Sequence, residues 1–409
     1  MKLQLSGPPS NFLKATIKIT GSKSESNRSL LLQALFQNLK ISNVSNSDDA
    51  RVMQRGLQIS NGEVDIHHAG TAMRFLTSFF ASQVGKEVTL TGSKRMTERP
   101  VKVLVDALRS LGAEIDYLKN EGYPPIRIKG KKLNENKVSL PANISSQYIS
   151  SLLLIAPSLE NGIELELIGE ITSVPYIKMT LALLGEIGVD HSFKSNLIKV
   201  SSKKAVADKN LIVESDWSSA SYFYSLVALS DIHTEITLSS YKKNSLQGDS
   251  VLAEIYTDFG VETVFQKNTI VLKKVKNCQV STVNYDLVNA PDIAQTIAVT
   301  CFGLAIGCHL TGLHTLKIKE TDRLEALHKE LSKLGADISV SDKDLTLKAS
   351  EELNSGVDID TYKDHRMAMA FAPLALKTQL LINEAEVVSK SYPDFWNDMK
   401  KLQIEVKEL

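Results

Sequence analysis

The sequence predicts an α/β protein of two similar domains, each made of three βαβαββ units, and three observations predict it. The chain has 409 residues, of which 43% are hydrophobic and 23% charged, enough to bury two cores. Six times a polar or cationic head runs into an apolar helix: Ser22–Leu35, Ala69–Phe80, Ser145–Ala156, Asp216–Leu229, Asp292–Ile306 and Asp364–Leu376. After a shorter first interval the heads recur about every 70–76 residues, long enough for a whole supersecondary unit.

Each element follows from its local pattern. Helices that are apolar nearly all round belong in a core. Between them recurs an amphipathic helix that closes on a glycine and runs into a strand, in Val105–Tyr117, Leu181–Phe193, Ala253–Phe265 and Leu327–Val340, with fainter copies in Met53–Val64 and Phe395–Val406. Gly112, Gly188, Gly260 and Gly335 suit the left-handed turn that ends a helix, and the residues after them alternate as strands do. Short β-rich segments fill the gaps: Glu87–Thr91, Ile126–Lys129, Ile163–Ile168, Asn210–Glu214, Glu235–Leu238, Thr269–Leu272 and Asp344–Leu347. Six units divide into three and three near Glu214-Ser215-Asp216, while the opening Met1–Thr20 fits either half. If the buried helices of a domain run parallel, their starts emerge together. Two such faces opposed across a cleft would aim six positive ends at a ligand with several negative charges.

Composition narrows the function. Lys plus Arg equals Asp plus Glu at 47 each, and aromatics are 6%, so a basic stripe with interleaved aromatics for nucleic acid is not expected. Met1–Pro9 has no apolar leader segment, and the longest apolar run, Ala294 to Cys308, is broken by Gln295, Thr296, Thr300 and two glycines. A cytoplasmic protein with no membrane segment is expected. Cys278, Cys301 and Cys308 are odd in number and lack CxxC spacing, which suits reduced thiols. No His/Cys cluster suggests a metal, and no cofactor is expected.

The heads carry the chemistry. Gly21-Ser22-Lys23-Ser24-Glu25-Ser26-Asn27-Arg28 places a glycine, serines and two cations at a helix start, which reads as an anion cradle or as a serine-capped helix. His68-Ala69-Gly70-Thr71-Ala72-Met73-Arg74 allows close backbone approach at Gly70, and Gly92–Pro100 is a loop with three cations. Ser145-Ser146-Gln147 and Ser173-Val174-Pro175-Tyr176 offer neutral hydrogen bonds. Asp292, just before an apolar helix, reads equally as cap or as base. Lys319 and Arg323, four apart, would share one helical face, so either an anion lies between them or Glu320 and Asp322 neutralise them. His365 and Arg366 head another buried helix, and Lys390 adds a cation near the end.

These motifs, in this order from about Lys2 to Lys400, resemble the 5-enolpyruvylshikimate-3-phosphate synthase family of enolpyruvyl transferases. The strongest are Gly21-Ser22-Lys23-Ser24…Asn27-Arg28, Ala69–Arg74, Arg95–Pro100, Lys319–Arg323 and Asp364–Met369. The resemblance implies an inside-out α/β barrel fold in two domains, expected at 21–214 and at 1–20 plus 215–409, that close on phosphoenolpyruvate and shikimate 3-phosphate as substrates. It implies no cofactor, no nucleic acid and no membrane, a monomer, and glyphosate as inhibitor. By matching position, Lys23, Ser24, Arg28, Ser145, Ser146, Gln147, Ser173, Tyr176, Asp292, Thr315 and Lys319 would hold shikimate 3-phosphate. Lys23, Gly70, Arg99, Gln147, Lys319, Arg323, Arg366 and Lys390 would surround phosphoenolpyruvate. Asp292 would accept the attacking hydroxyl's proton, Glu320 with Lys23 would protonate the methylene carbon, and His365 would relay or orient. His68 and Thr315 stand where the family often has Asn. The sister enzymes that act on a nucleotide sugar carry a cysteine in the loop matching Gly92–Pro100, and none is present here. An RNA-end or anion-binding repeat protein is the alternative from another class.

Overall fold

The computed structural model describes residues 1–142, 145–169, 171 and 174–409. The chain divides into two compact units, Gly21–Val213 and Met1–Thr20 with Glu214–Leu409. Each has its own hydrophobic core.

In the Gly21–Val213 unit the helices Lys23–Leu35, Gly70–Ala81 and Ser146–Ile155 pack on one another. Leu30 to Leu32, Phe75, Leu76, Phe80 and Leu152 to Ile155 are buried there, each contributing about 1.5–3 kcal/mol by leaving water. The second unit repeats the plan with Trp217–Leu229, Ala294–Gly303 and His365–Phe371. Their few polar groups pair with each other: Ser221 with Thr296 at 3.0 Å, and Thr300 with Ser225 at 2.7 Å. Both partners advance by one turn in the same sense, so these two helices run parallel. Ser78 and Ser151 pair at 3.0 Å in the other unit. A hydroxyl pair of this kind satisfies groups that burial would otherwise penalise.

Among the described residues the strands form six sheets, five of four strands and one of two. In each, two parallel strands are joined by an antiparallel partner only where the sheet has four. Gly62–Asp65 and Glu87–Thr91, for example, flank a buried helix in sequence and pair in parallel, and Ile126–Lys129 then adds antiparallel. The two-stranded sheet joins Leu39–Ser42 to Lys209–Ile212, whereas Lys14–Ile17 pairs with Glu235–Ser239. Lys14–Ile17, before the crossing near Thr20, thus joins a sheet of the second unit, whereas Lys209–Ile212, just before the crossing near Val213, pairs back to the start of its own unit. The first strand, Leu3–Ser6, lies between Leu380–Ile382 and Glu405–Glu408. Glu214 falls in the second unit, where its carboxylate accepts hydrogen bonds from Trp217 Nε1, the Lys242 amide and Ser245.

The outer helices end as their glycines suggest. Gly112, Gly188, Gly260 and Gly335 have φ of 103°, 80°, 79° and 102°, conformations that a side chain would strain. Two expected elements differ. The helix expected before Gly260 is a single α-helical turn, Leu252–Ile255, entered through a 3-10 turn at Gly248–Val251 whose Asp249 side chain is engaged elsewhere. The run from Asp292 begins as a 3-10 turn, Pro291–Ile293, and its helix stops at Gly303, so Gly307–Thr311 is strand.

Candidate functional site

In the second unit the site begins with a carboxylate. Asp292 projects from the 3-10 turn, and three cations converge on it: Arg323 Nη1 at 2.8 Å and Lys319 Nζ at 3.5 Å from Oδ1, and Arg366 Nη2 at 3.3 Å from Oδ2. Burial would raise its pKa, but Arg366 first, then Lys319 and Arg323, outweigh burial and hold it well below the usual carboxylate range. Asp292 is thus no helix cap. The expected helical face shared by Lys319 and Arg323 does not form. Asp322 caps the helix Arg323–Lys333 by accepting from the Glu325 amide at 3.2 Å, which leaves Lys319 outside it. Asp292 and Glu320, rather than Asp322, neutralise the pair.

Arg323 is 2% exposed and is the hub of the cluster. Its Nε donates to Asp364 at 2.6 Å, and its Nη2 to Glu320 at 2.9 Å. Burial acts to lower its pKa, but Asp364, Glu320 and Asp292 more than offset this and hold it above the ordinary guanidinium value. Replacing Arg323 with Met leaves buried carboxylates without their cation, and the expected cost is about 3–5 kcal/mol in urea unfolding. A loss below 1 kcal/mol would show that the arginine is not the hub.

Lys390 reaches Glu320 at 3.3 Å. Asp364 caps the helix His365–Phe371 through the Arg366 amide, and it lies 3.8 Å from His365 Nδ1. His365 is buried, 1% exposed, beneath the charged groups. The Thr315 hydroxyl is buried and makes no hydrogen bond among the described residues. Asp292, Lys319, Glu320, Arg323, His365, Arg366 and Lys390 are therefore one contiguous cluster: four cations, the two carboxylates they pair with, and a histidine joined through Asp364.

The Gly21–Val213 unit holds a second set. Lys23, the first residue of its helix, lies 3.5 Å from Asp49 Oδ2. Arg28, one turn in, is a buried strut: Nη1 donates to the Ser24 carbonyl, Nε to Thr180 and Nη2 to Ser150, at 2.8, 2.8 and 2.9 Å. Burial pulls its pKa down to about 10. The Tyr176 carbonyl accepts from Arg28 Nη2 at 3.4 Å, which ties two of the expected binding segments together. Ser145 caps its helix through the Gln147 amide, Ser146 is buried beside it, and Gln147 Nε2 donates to Thr71 at 3.3 Å. Ser173 lies outside the described residues.

Gly70 and Arg99 meet directly. A Cβ on Gly70 would fall 2.7 Å from Arg99 Nη1, so the arginine packs over this glycine. Arg74, one turn into the same helix, is buried and braces the loop: its guanidinium donates to the carbonyls of Gly70 and Pro100 at 3.1 and 3.2 Å. Tyr148 donates to the same Pro100 carbonyl at 2.6 Å. For Gly70→Ala the methyl must push the flexible end of Arg99 aside. The expected result is a KM for phosphoenolpyruvate raised about tenfold with KM for shikimate 3-phosphate near wild type, and equal rises in both would contradict it.

Sequence reasoning missed Asp49 and Asp364 as parts of these clusters. Each stands at or near a helix start, where an acidic or hydroxyl residue has a capping role as its ordinary meaning.

Fold and clusters together define a two-unit α/β protein in which charged side chains gather near the starts of buried helices. The family model for EPSP synthase (3-phosphoshikimate 1-carboxyvinyltransferase) matches residues 55–399, and the chain belongs to that family. A 3-phosphoshikimate 1-carboxyvinyltransferase of Bacteroides fragilis is 45% identical, covering 100% of this chain and 99% of the relative. One of Shewanella pealeana is 37% identical over 98% of this chain and 99% of its own. The solved EPSP synthase of Acinetobacter baumannii superposes with a TM-score of 0.83 at 20% identity, over 100% of both chains, which shows the shared fold. Membership makes the protein a transferase of the shikimate pathway, acting between phosphoenolpyruvate and shikimate 3-phosphate.

Proposed function

We propose that the two clusters divide the reaction as follows, and the observation that carries this reading is Asp292 held among Lys319, Arg323 and Arg366. Phosphoenolpyruvate, with a carboxylate and a phosphate, displaces internal carboxylates from Arg366, Lys319 and Lys390, with Arg99 and the backbone of Gly70 on its other groups. Arg323 stays buried and holds Glu320 and Asp292 in place. Lys23, Ser24, Ser145, Ser146, Gln147, Ser173, Tyr176 and Thr315 hold shikimate 3-phosphate, and Arg28 keeps Ser24 and Tyr176 in register.

The 5-hydroxyl oxygen attacks the central carbon of phosphoenolpyruvate while its proton passes to Asp292. Glu320, with Lys23, delivers a proton to the methylene carbon, so the adduct is a tetrahedral ketal carrying phosphate. A proton then returns from the new methyl group to the Glu320 carboxylate as the C–O bond to phosphate breaks. The departing phosphate takes the electron pair, and the carboxyvinyl ether remains. Cations around the phosphate offset the charge that develops on it. His365, packed beside Asp364, orients the start of its helix.

Among the described residues no helix is long and apolar enough to cross a membrane, and the three cysteines are unpaired. We take the protein to act in the cytoplasm as a monomer, which gel filtration checks. The reading is tested by thermal unfolding: saturating shikimate 3-phosphate should raise Tm by several degrees, whereas a UDP-amino sugar or RNA should leave it unchanged. Stabilisation by the nucleotide sugar and not by shikimate 3-phosphate would reject it.

A further inference from the structure

One buried carboxylate adjoins the Asp292 cluster and has no part in the chemistry above. Asp249, in the 3-10 turn Gly248–Val251, is 7% exposed and accepts a hydrogen bond from the hydroxyl of Ser218. Ser218 sits in the first turn of the buried helix Trp217–Leu229. The same hydroxyl oxygen accepts from Arg366 Nη2 at 3.2 Å, and that nitrogen is the one 3.3 Å from Asp292. A serine hydroxyl has one proton and can accept as well as donate, so Ser218 transmits Asp249 to Arg366 without direct contact.

We propose that Asp249 is a positioning residue for the reaction: through Ser218 it fixes the guanidinium of Arg366, and its charge sets how much of that cation is left for phosphoenolpyruvate. The proposal rests on the reading that Arg366 binds phosphoenolpyruvate.

The geometry decides the direction of the effect. The charged and titratable groups facing Asp249 are Asp216 at the cap of the Trp217 helix, Asp292 on its 3-10 turn, and Arg366 on its helix, with Tyr222 beside Arg366. Burial first, and then Asp292, push Asp249 up to about 7, against the pull of Arg366 and Ser218. When neutral, Asp249 still accepts from Ser218 and holds Arg366 in place while subtracting nothing from its charge. When ionised, it adds a second anion behind the guanidinium and competes with the incoming substrate.

The test uses the full chain with Ser218→Ala, Asp249→Ala and Asp249→Asn. Asparagine keeps an acceptor for Ser218 but can carry no charge. Ser218→Ala and Asp249→Ala are expected to raise KM for phosphoenolpyruvate about tenfold, with kcat and KM for shikimate 3-phosphate within about twofold of wild type. Asp249→Asn should restore a KM near wild type at pH 6. The ratio of wild-type to Asn-variant KM, in which the substrate's own titration cancels, should climb several-fold between pH 6 and 8. An Asn variant as impaired as the Ala variant would overturn the proposal. So would a flat ratio, or both KM values rising together with a lowered Tm, which is the mark of a structural role alone. Wild-type protein that forms no product from the two substrates defeats the underlying reading, and this proposal with it, before any variant is compared.

Discussion

Asp292→Asn is expected to lower kcat by about 10²–10⁴-fold while shikimate 3-phosphate still binds and inorganic phosphate binds more tightly. The first effect follows from loss of the group proposed to take the hydroxyl's proton. The second follows from the ion pairs: with the charge gone, Arg366 and Lys319 lose their internal partner and are open to an anion. In the ligand-free protein these cations hold Asp292 below the usual carboxylate range, where a carboxylate is a poor base at neutral pH. An arriving phosphate or carboxylate takes up part of their charge, so the base gains strength only when substrate is bound. Linkage gives a further check. A depressed folded pKa contributes stability that is in place above the unfolded value near 3.9 and is lost as pH falls through the folded one. The variant should therefore show a shallower acid limb of Tm against pH. Turnover within tenfold of wild type, or unchanged phosphate affinity in calorimetry, would remove Asp292 from this role.

Lys23→Ala is expected to cut turnover about 10³-fold or more, because it removes the cation proposed to act at the reacting centre. Its ion pair with Asp49 spans 3.5 Å and is partly exposed, so little stability should depend on it. Alanine is the best helix former, and the helix Lys23–Leu35 should persist. Tm within a few degrees of wild type together with lost single-turnover chemistry is the expected pair of results. A variant that retains a fifth of wild-type activity would show the lysine to be dispensable.

What could be read from the sequence was periodic or local. The six heads mark six buried helices because a helix without a polar face has only one place to go, and Gly112, Gly188, Gly260 and Gly335 mark where outer helices end. The grouping of Asp292, Lys319, Glu320, Arg366 and Lys390 was legible through the family resemblance, since their spacing in the chain says nothing of their meeting. The pairing of Lys14–Ile17 and of Lys209–Ile212 with strands far away in the chain left no local mark, because short β-rich segments look alike until paired. The depth of Arg28, Arg74 and Arg323 was also hidden. A charge in a sequence motif reads as a hand held out to a ligand, whereas these three spend their hydrogen bonds holding the protein's own carbonyls, hydroxyls and carboxylates. Asp322, read in the sequence as a neutralising charge, caps a helix, and Asp292, read as cap or base, faces three cations.

The central claim is that this chain joins two small anions by moving a carboxyvinyl group between them. Mixing the protein with shikimate 3-phosphate and phosphoenolpyruvate and following both products by phosphorus and proton NMR tests it most directly. Inorganic phosphate and the vinyl ether should appear in equal amounts. Phosphate released without the ether, or ether formed only when a UDP-amino sugar replaces shikimate 3-phosphate, would contradict it.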